Sequence, residues 1–405
     1  MNRFTRQMAS YLQQFGAVVR NEFRTIFTDG GVLLILVFAM LIYATAYSLA
    51  YGSQVLRNVP IGVVDACRTA TSRSLIETFN AGPNTYVAYN PTSMEEAKEL
   101  FYGRKIYGVV YIPSDYERKL VGGSQADVAI YCDASYFLMY RQVFQELVTT
   151  IGQTGAMVEF RRLIAKGADI PQAQAVTQPV IYQSHNLFNP YLGYGTFVMP
   201  AIIIVIIQQT MLIGIGMIGG TWREHGLYRK LRPAGRGRMS TLPIVLGRAT
   251  VYALIYAVTC AYVLGLHYRM FHFPMNGQTG AVALFTAVYL AACIAMSIAV
   301  STLFRYRENS LLLLLWTSIP VLMLSGISYP REGIPEWMFA LGKLFPSSHG
   351  VNGFIRIQTM GASLGEVFAE IKWLVILTVA YGGLACIGIH QVIRREERER
   401  CGKGE

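Results

Sequence analysis

The sequence predicts an α-helical polytopic membrane protein with six transmembrane helices and an α/β domain inserted between the first two. Three observations carry that reading. Six long apolar runs lie at Val32–Tyr51, Thr196–Gly220, Ile244–Leu266, Ala281–Phe304, Leu311–Tyr329 and Trp373–Ile393. Each is near the ~20 residues that a helix needs to cross ~30 Å of hydrocarbon. The 405-residue chain is 53% hydrophobic with a mean hydropathy of +0.36, far more apolar than a soluble domain. Between the first and second runs lies a long stretch of mixed polar and apolar sequence, enough for a folded domain of its own.

The placement of charge orients the spans. A formal charge of +11 in a soluble chain would suggest nucleic acid as a partner, but here the basic residues crowd Met1–Gly30, Thr221–Arg248, Arg305–Asn309 and Arg394–Glu405. The other short connections carry only Arg269, Arg331, Lys343, Arg356 and Lys372. Basic segments stay on the cytoplasmic side. No nucleic acid is therefore expected. The expected order is a cytoplasmic amphipathic interface helix within residues 1–30, a first span at 31–51, an extracytoplasmic α/β domain at 52–193, spans two to six within 194–393, and a basic cytoplasmic tail at 394–405. Both termini are then cytoplasmic, which an even number of spans allows.

Taken in order, Tyr11–Phe27 sets Leu12, Phe15, Val19, Phe23 and Ile26 at helical spacing, with Gln13, Arg20, Asn21 and Arg24 elsewhere. Such a basic amphipathic helix is expected to lie along the membrane surface, the alternative being a helix packed on protein. The first apolar run is long enough to span and is followed by no small-residue cleavage site, so it is expected to remain as an uncleaved anchor. The runs contain no Asp, Glu or Lys, and Arg248 stands at the edge of its run, where its head is expected to reach water. With no buried carboxylate for an ion relay, energy for any transport would have to come from elsewhere.

In the inserted domain, strand signals at Asn58–Asp65, Tyr86–Tyr89, Tyr107–Ile112, Asp127–Cys132 and Val180–Ser184 alternate with helix signals at Ser72–Asn80, Ser93–Arg104, Asp115–Leu120 and Phe137–Ala165. Ser93 and Glu96 have the spacing of a capping box. This alternation implies a mixed or parallel sheet with helices against it. Cys67 and Cys132 each follow a strand. Sequence gives no distance between them, so a disulfide stays open as one of two options. Cys260, Cys293 and Cys386 in the spans, and Cys401 in the tail, are expected to be small apolar filler.

Motifs exclude several chemistries. There is no Walker sequence, no His-Glu-x-x-His, and no Cys-x-x-Cys pair. No catalytic residue, metal or cofactor is therefore assigned to this chain. Ser347, Ser348 and His349 are adjacent but lack a third orienting group, which argues against hydrolysis. Arg223, Glu224, Gly226, Leu227 and Leu231 form a polar segment between two spans. It is short enough to be one helix with Leu227 and Leu231 on a single face, either a handle for a partner or a solvated anchor. Gln208, Gln209 and Tyr256, with Thr210, Met211, Tyr252, Tyr262 and Tyr289, suggest a path for amphipathic cargo, with helix-to-helix bonding as the alternative.

The segment Arg223, Glu224, Gly226, Leu231 resembles the coupling region of the ABC-2 family of ABC exporter membrane subunits. It departs from the family pattern before the Arg and at Leu227. Arg24–Asp29 is similar to the basic stretch before the family's first span, and Pro60–Asp65 with Ser72, Arg73, Ile112, Pro113 and Asp133 to the outside domain of its drug-export branch. Phe188, Asn189 and Pro190, leading to Val198, Met199 and Pro200, resemble the approach to the second span. The most specific likeness is Ser325, Gly326, Tyr329, Pro330, Ile334, Pro335, Glu336, Trp337, Pro346, Gly353, Phe354 and Arg356. In the family this stretch forms short helices dipping into the outer leaflet, expected here within 330–365, and the coupling region is expected at 221–243.

The resemblance implies a permease in a bacterial cytoplasmic membrane that pairs with a second permease copy or paralogue. It implies two copies of an ABC ATPase subunit, which would hold ATP and Mg²⁺, and by analogy a periplasmic adaptor, besides membrane lipid. It also implies that Arg223, Glu224, Gly226, Leu227 and Leu231 meet the ATPase. The competing class is a multispan receptor or assembly scaffold with a ligand-binding outside domain. A membrane-embedded enzyme would need acids or metal ligands at span depth, which the runs lack.

Overall fold

A computed structural model describes residues 3–181, 183–231 and 238–402. The chain forms two compact units, one of residues 1–54 with 186–405 and one of residues 55–185. In the first, helix α1 spans Arg3–Thr28 and α2 spans Gly30–Ala50, with a π-helical turn at Leu34–Ala39. Asp29 separates them. Its carboxylate accepts the Gly31 and Val32 amides at 3.0 and 3.1 Å, capping α2. The same carboxylate takes a fork of two bonds from Arg307, one at 2.9 Å. This pairing ties the α1–α2 junction to the approach of a distant helix.

The inserted unit carries a four-stranded sheet of order β2-β1-β3-β4, with β1 Val59–Asp65, β2 Thr85–Tyr89, β3 Gly108–Ile112 and β4 Ala129–Cys132. β1 is parallel to β2 and β3, and β4 is antiparallel to β3. Its helices are α3 Ala70–Ala81, α4 Met94–Tyr102, α5 Tyr116–Val121, α6 Phe137–Ala165 and α7 Ile170–Thr177. Alternation puts Ile61 and Val63 of β1 in one core with Leu75, Phe79, Val143 and Leu147, and puts Val64 with Ala97 and Val109 in the other. Asp65 organises the β1–α3 turn, accepting the Cys67 and Arg68 amides at 3.0 Å each and the Ser72 hydroxyl at 2.7 Å.

Two details of the unit correct the sequence expectations, and a third answers a question that the sequence left open. The Val180–Ser184 strand is not formed at its described residues: Val180 and Ile181 are 79% and 82% exposed, so branched residues alone did not make a strand without a sheet edge to join. The connector before it instead holds α7, capped by Asp169 with Pro171 in its first turn. The expected capping box at Ser93 is only half made. Ser93 accepts from the Glu96 amide, but the Glu96 carboxylate bonds the Thr92 amide and hydroxyl instead. Cys67 and Cys132 are both free thiols.

In the first unit the chain continues through α8 Tyr194–Glu224, α9 Leu242–Met270, α10 Thr279–Ser301 and α11 Glu308–Leu324. It ends with α12 Glu336–Gly342, α13 Pro346–Phe354 and α14 Phe368–Gly402. Among the described residues, five helices are long and apolar enough to cross a membrane: α2, α8, α9, α10 and α14. The fifth predicted run, Leu311–Tyr329, forms only the 17-residue α11, because the chain turns at Ser325 and at Gly326, whose φ is +86°. α8 is the central element, with most of its length buried. Glycine decides how closely the connection before α11 approaches it: a Cβ on Gly220 would collide with the Tyr306 carbonyl oxygen.

The Arg307 guanidinium holds the Asp29 carboxyl below its usual range. A depressed carboxylate pKa adds stability above the unfolded pKa of ~4 and loses it as pH falls through the folded value. Asp29→Asn should therefore lower thermal stability at neutral pH and flatten its acid dependence below about pH 4. Melting the detergent-solubilised protein across that range checks both effects.

Candidate coupling turn and membrane core

The predicted single helix over Arg223–Leu231 does not form. α8 ends at Glu224, and the chain reverses through His225 and Gly226 before a short 3₁₀ turn at Tyr228–Leu231. Gly226 has φ +60°, its amide bonds the Arg223 carbonyl at 3.2 Å, and the Leu227 amide reaches back to the Trp222 carbonyl at 2.8 Å. This is a Schellman stop, which needs a left-handed residue where Gly226 stands. Leu227 and Leu231 therefore do not share an α-helical face. Both are half-buried against the core. The remainder of the expected coupling region, 232–237, lies outside the described residues, as do 403–405 of the tail.

The turn is fastened on several sides. Arg223 donates to the Thr302 carbonyl at 3.0 Å, the Arg229 amide to the Glu396 carboxylate at 3.0 Å, and the Gln14 side chain to the Leu231 carbonyl at 2.9 Å. Glu224 is exposed and makes no hydrogen bond or ion pair among the described residues. A cleft of about 340 Å³ runs between α1 and the turn, lined by Val18, Asn21, Leu227 and Lys230 among others.

Beneath the turn lies the residue pair that sequence reasoning missed. Arg248 does not reach water: it is fully buried and donates to Glu22, also fully buried, at 2.9 Å. The Tyr252 hydroxyl donates to the same carboxylate oxygen, and the Arg248 guanidinium lies 5.1 Å over the Trp222 ring. Tyr228 closes the pocket, its ring edge-on to Trp222 at 5.6 Å, and burial raises its hydroxyl pKa. Glu22 comes from α1, whose inner stripe is Val18, Glu22 and Ile26, while Leu12, Phe23 and Phe27 are exposed. The apolar set predicted for one face of α1 is thus divided between two, and α1 packs on α9 through the stripe that holds a carboxylate. The core does hold a buried acid, brought in by a helix outside the apolar runs and neutralised by Arg248.

Of the residues proposed for a cargo path, Gln208 and Tyr256 bond to other helices, whereas Gln209 does not. Gln208 accepts the Ser347 amide at 2.7 Å, serving the start of α13. The Tyr256 hydroxyl donates to Thr210 at 2.8 Å. Gln209 is 7% exposed, with neither amide atom paired among the described residues. The Tyr289 hydroxyl donates to the Ile204 carbonyl at 2.6 Å.

The Ser325–Arg356 stretch folds into short helices between α11 and α14. Ser325 closes α11 by bonding Leu322 at 2.6 Å, Pro330 and Pro335 each precede a short helix, and Pro346 opens α13. Trp337 is 67% exposed and Phe354 is fully buried. Arg356 pairs with Glu370 at 3.2 Å and donates to the Glu366 carbonyl at 2.8 Å, pinning the stretch to α14.

A family profile described as ABC-2 family transporter protein matches residues 30–387. The chain belongs to that family. It is 21% identical over 372 residues to the probable multidrug ABC transporter permease YbhR of Escherichia coli, covering 91% of this chain and 96% of that protein. It is 25% identical over 385 residues to the inner membrane transport permease YhhJ of the same organism, covering 92% and 96%. The ABC transporter G family member 20 of Dictyostelium discoideum matches at 21% over 89% of this chain but only 48% of its own length. This ABC-2 permease is a membrane subunit of an ABC transporter.

Removing one partner of a buried ion pair strands the other charge. Glu22→Gln or Arg248→Met alone should cost about 3–5 kcal/mol, whereas the double variant should recover much of that loss. Thermal unfolding of the purified permease measures the cycle, and additive single losses would show that the two residues do not act as a pair.

Proposed function

We propose that this permease moves an amphipathic or hydrophobic substrate out of the cytoplasm or inner leaflet, by alternating access driven by a separate ATPase subunit. The observation that carries this reading is the coupling turn. It is a reversal fastened to the end of α10, to α14 and to α1, with Glu224 exposed and, among the described residues, unpaired. An exposed charge on a fixed surface suits a partner that pushes on it.

In this reading Arg223, Glu224, Gly226, Leu227 and Leu231 meet the ATPase, two copies of which hold ATP and Mg²⁺, and α1 buttresses the contact. Arg223 and Gly226 shape the turn, and Glu224 supplies the charge that the partner reads. Force on the turn passes to α8, whose end is the turn itself, and through Trp222 and Arg248 to α9. Inverting a two-state equilibrium takes about 5.5 kcal/mol, an input that ATP-driven closure of a partner can deliver. The complex contains a second permease copy or paralogue in a bacterial inner membrane. Both termini are cytoplasmic and residues 52–193 are extracytoplasmic, where a periplasmic adaptor would dock. The Ser325–Arg356 helices sit in the outer leaflet. The basic flanks support this orientation, and the likeness to YbhR, a probable multidrug ABC transporter permease, supports a drug-like cargo.

Glu224→Ala tests the reading. Co-expressed with its ATPase and reconstituted in vesicles, the variant should insert normally, because Glu224 makes no hydrogen bond or ion pair among the described residues. It should move about ten-fold less cargo per ATP hydrolysed, the scale of one lost charge-assisted hydrogen bond. Unchanged coupling would reject the assignment of the turn.

A further inference from the structure

A second cleft opens between α9 and α10, at the end of α9 away from the coupling turn. It encloses about 390 Å³, within the range of a small-molecule site. Leu264, Val282 and Leu290 wall its depth, while Ala261, Ala283 and Ala287, all exposed, leave its mouth open where larger side chains would close it. At one end the polar groups gather, and those that meet the cleft as donors have no acceptor of their own. Arg269 is exposed and unpaired among the described residues. Gln358 is 2% exposed, and its amide nitrogen is buried without a partner among them. Thr286 is 6% exposed, and its hydroxyl is equally unpaired.

Other groups hold this end in place. The Asn276 amide bonds the Gln358 carbonyl at 3.0 Å and its side chain bonds Thr359 at 2.7 Å. These bonds fix the backbone at Gln358 and Thr359 beside the cleft. α10 begins beside it at Thr279, with no side chain capping its first amides. No Asp or Glu lines the cleft.

We propose that this cleft binds an anionic phospholipid of the surrounding bilayer, with an acyl chain against Leu264, Val282 and Leu290 and the phosphate at Arg269, Gln358 and the start of α10. An apolar slot open to the side, ended by a cation and orphaned donors, fits a chain joined to an anion. The site does not depend on the direction of transport or on the coupling turn.

The test uses the full-length permease in phosphatidylcholine nanodiscs doped with phosphatidylglycerol or phosphatidylcholine bearing a photoreactive acyl chain. Phosphatidylglycerol should label peptides within residues 257–290 about five-fold more than phosphatidylcholine does, the effect of one basic residue at a charged lipid. Arg269→Ala should abolish that preference, Arg269→Lys should keep it, and Ala283→Trp should block labelling by both lipids. Excess inorganic phosphate should not compete. Equal labelling by the two lipids, labelling unchanged in Arg269→Ala, or displacement by free phosphate would each overturn the proposal. Because Arg269 is exposed, its variants remain informative even where Ala283→Trp fails to fold.

Discussion

The first unit depends on one ion pair sealed from water, Glu22 with Arg248. Two charges in a low-dielectric interior are tolerated only when each answers the other, and the cost of exposing either one alone is several kcal/mol. That constraint fixes the rotation of α1 on α9, since only one stripe of α1 carries the carboxylate. Trp222 and Tyr228 cover the pair from the coupling turn, so the turn is seated by the same contact. Three segments distant in sequence are thus registered against one another by a single buried charge.

The pair also changes how an absence of acids in the apolar runs bears on mechanism. A carboxylate does enter the core, and a guanidinium and a tyrosine hydroxyl hold it in position. The other charged contacts of the unit act likewise. Asp29 with Arg307 joins the start of α2 to the loop before α11, and Arg356 with Glu370 joins the short helices to α14. Each pair links a connection to a helix end, where lipid gives way to water and a charge costs less than at span depth.

Two residues hold the turn after α8 in shape. Gly226 is needed for a left-handed stop, and a Cβ there would be strained whatever space surrounds it. Arg223 is needed to hold the Thr302 carbonyl, which would otherwise end a helix without a partner. Glu224, exposed beside them, makes no hydrogen bond or ion pair among the described residues.

Hydropathy and residue pattern, both local along the chain, were sufficient to mark the apolar runs and the inserted stretch with its β1–β4 signals. Neither is sensitive to what comes from far away. The shortening of α11 followed from a reversal at Ser325–Gly326 inside a run that stayed apolar, and Val180–Ser184 had strand composition but no neighbour to pair with. Gln208 accepts the Ser347 amide at the start of α13, 139 residues away, a bond that no local pattern foretells. The sequence by itself determined which segments leave water, because burial in lipid is set by composition over ~20 residues. Only the tertiary structure decided that Arg248 faces inward rather than out to solvent, because its partner Glu22 lies 226 positions away and long-range charge pairing leaves no periodic trace in either segment.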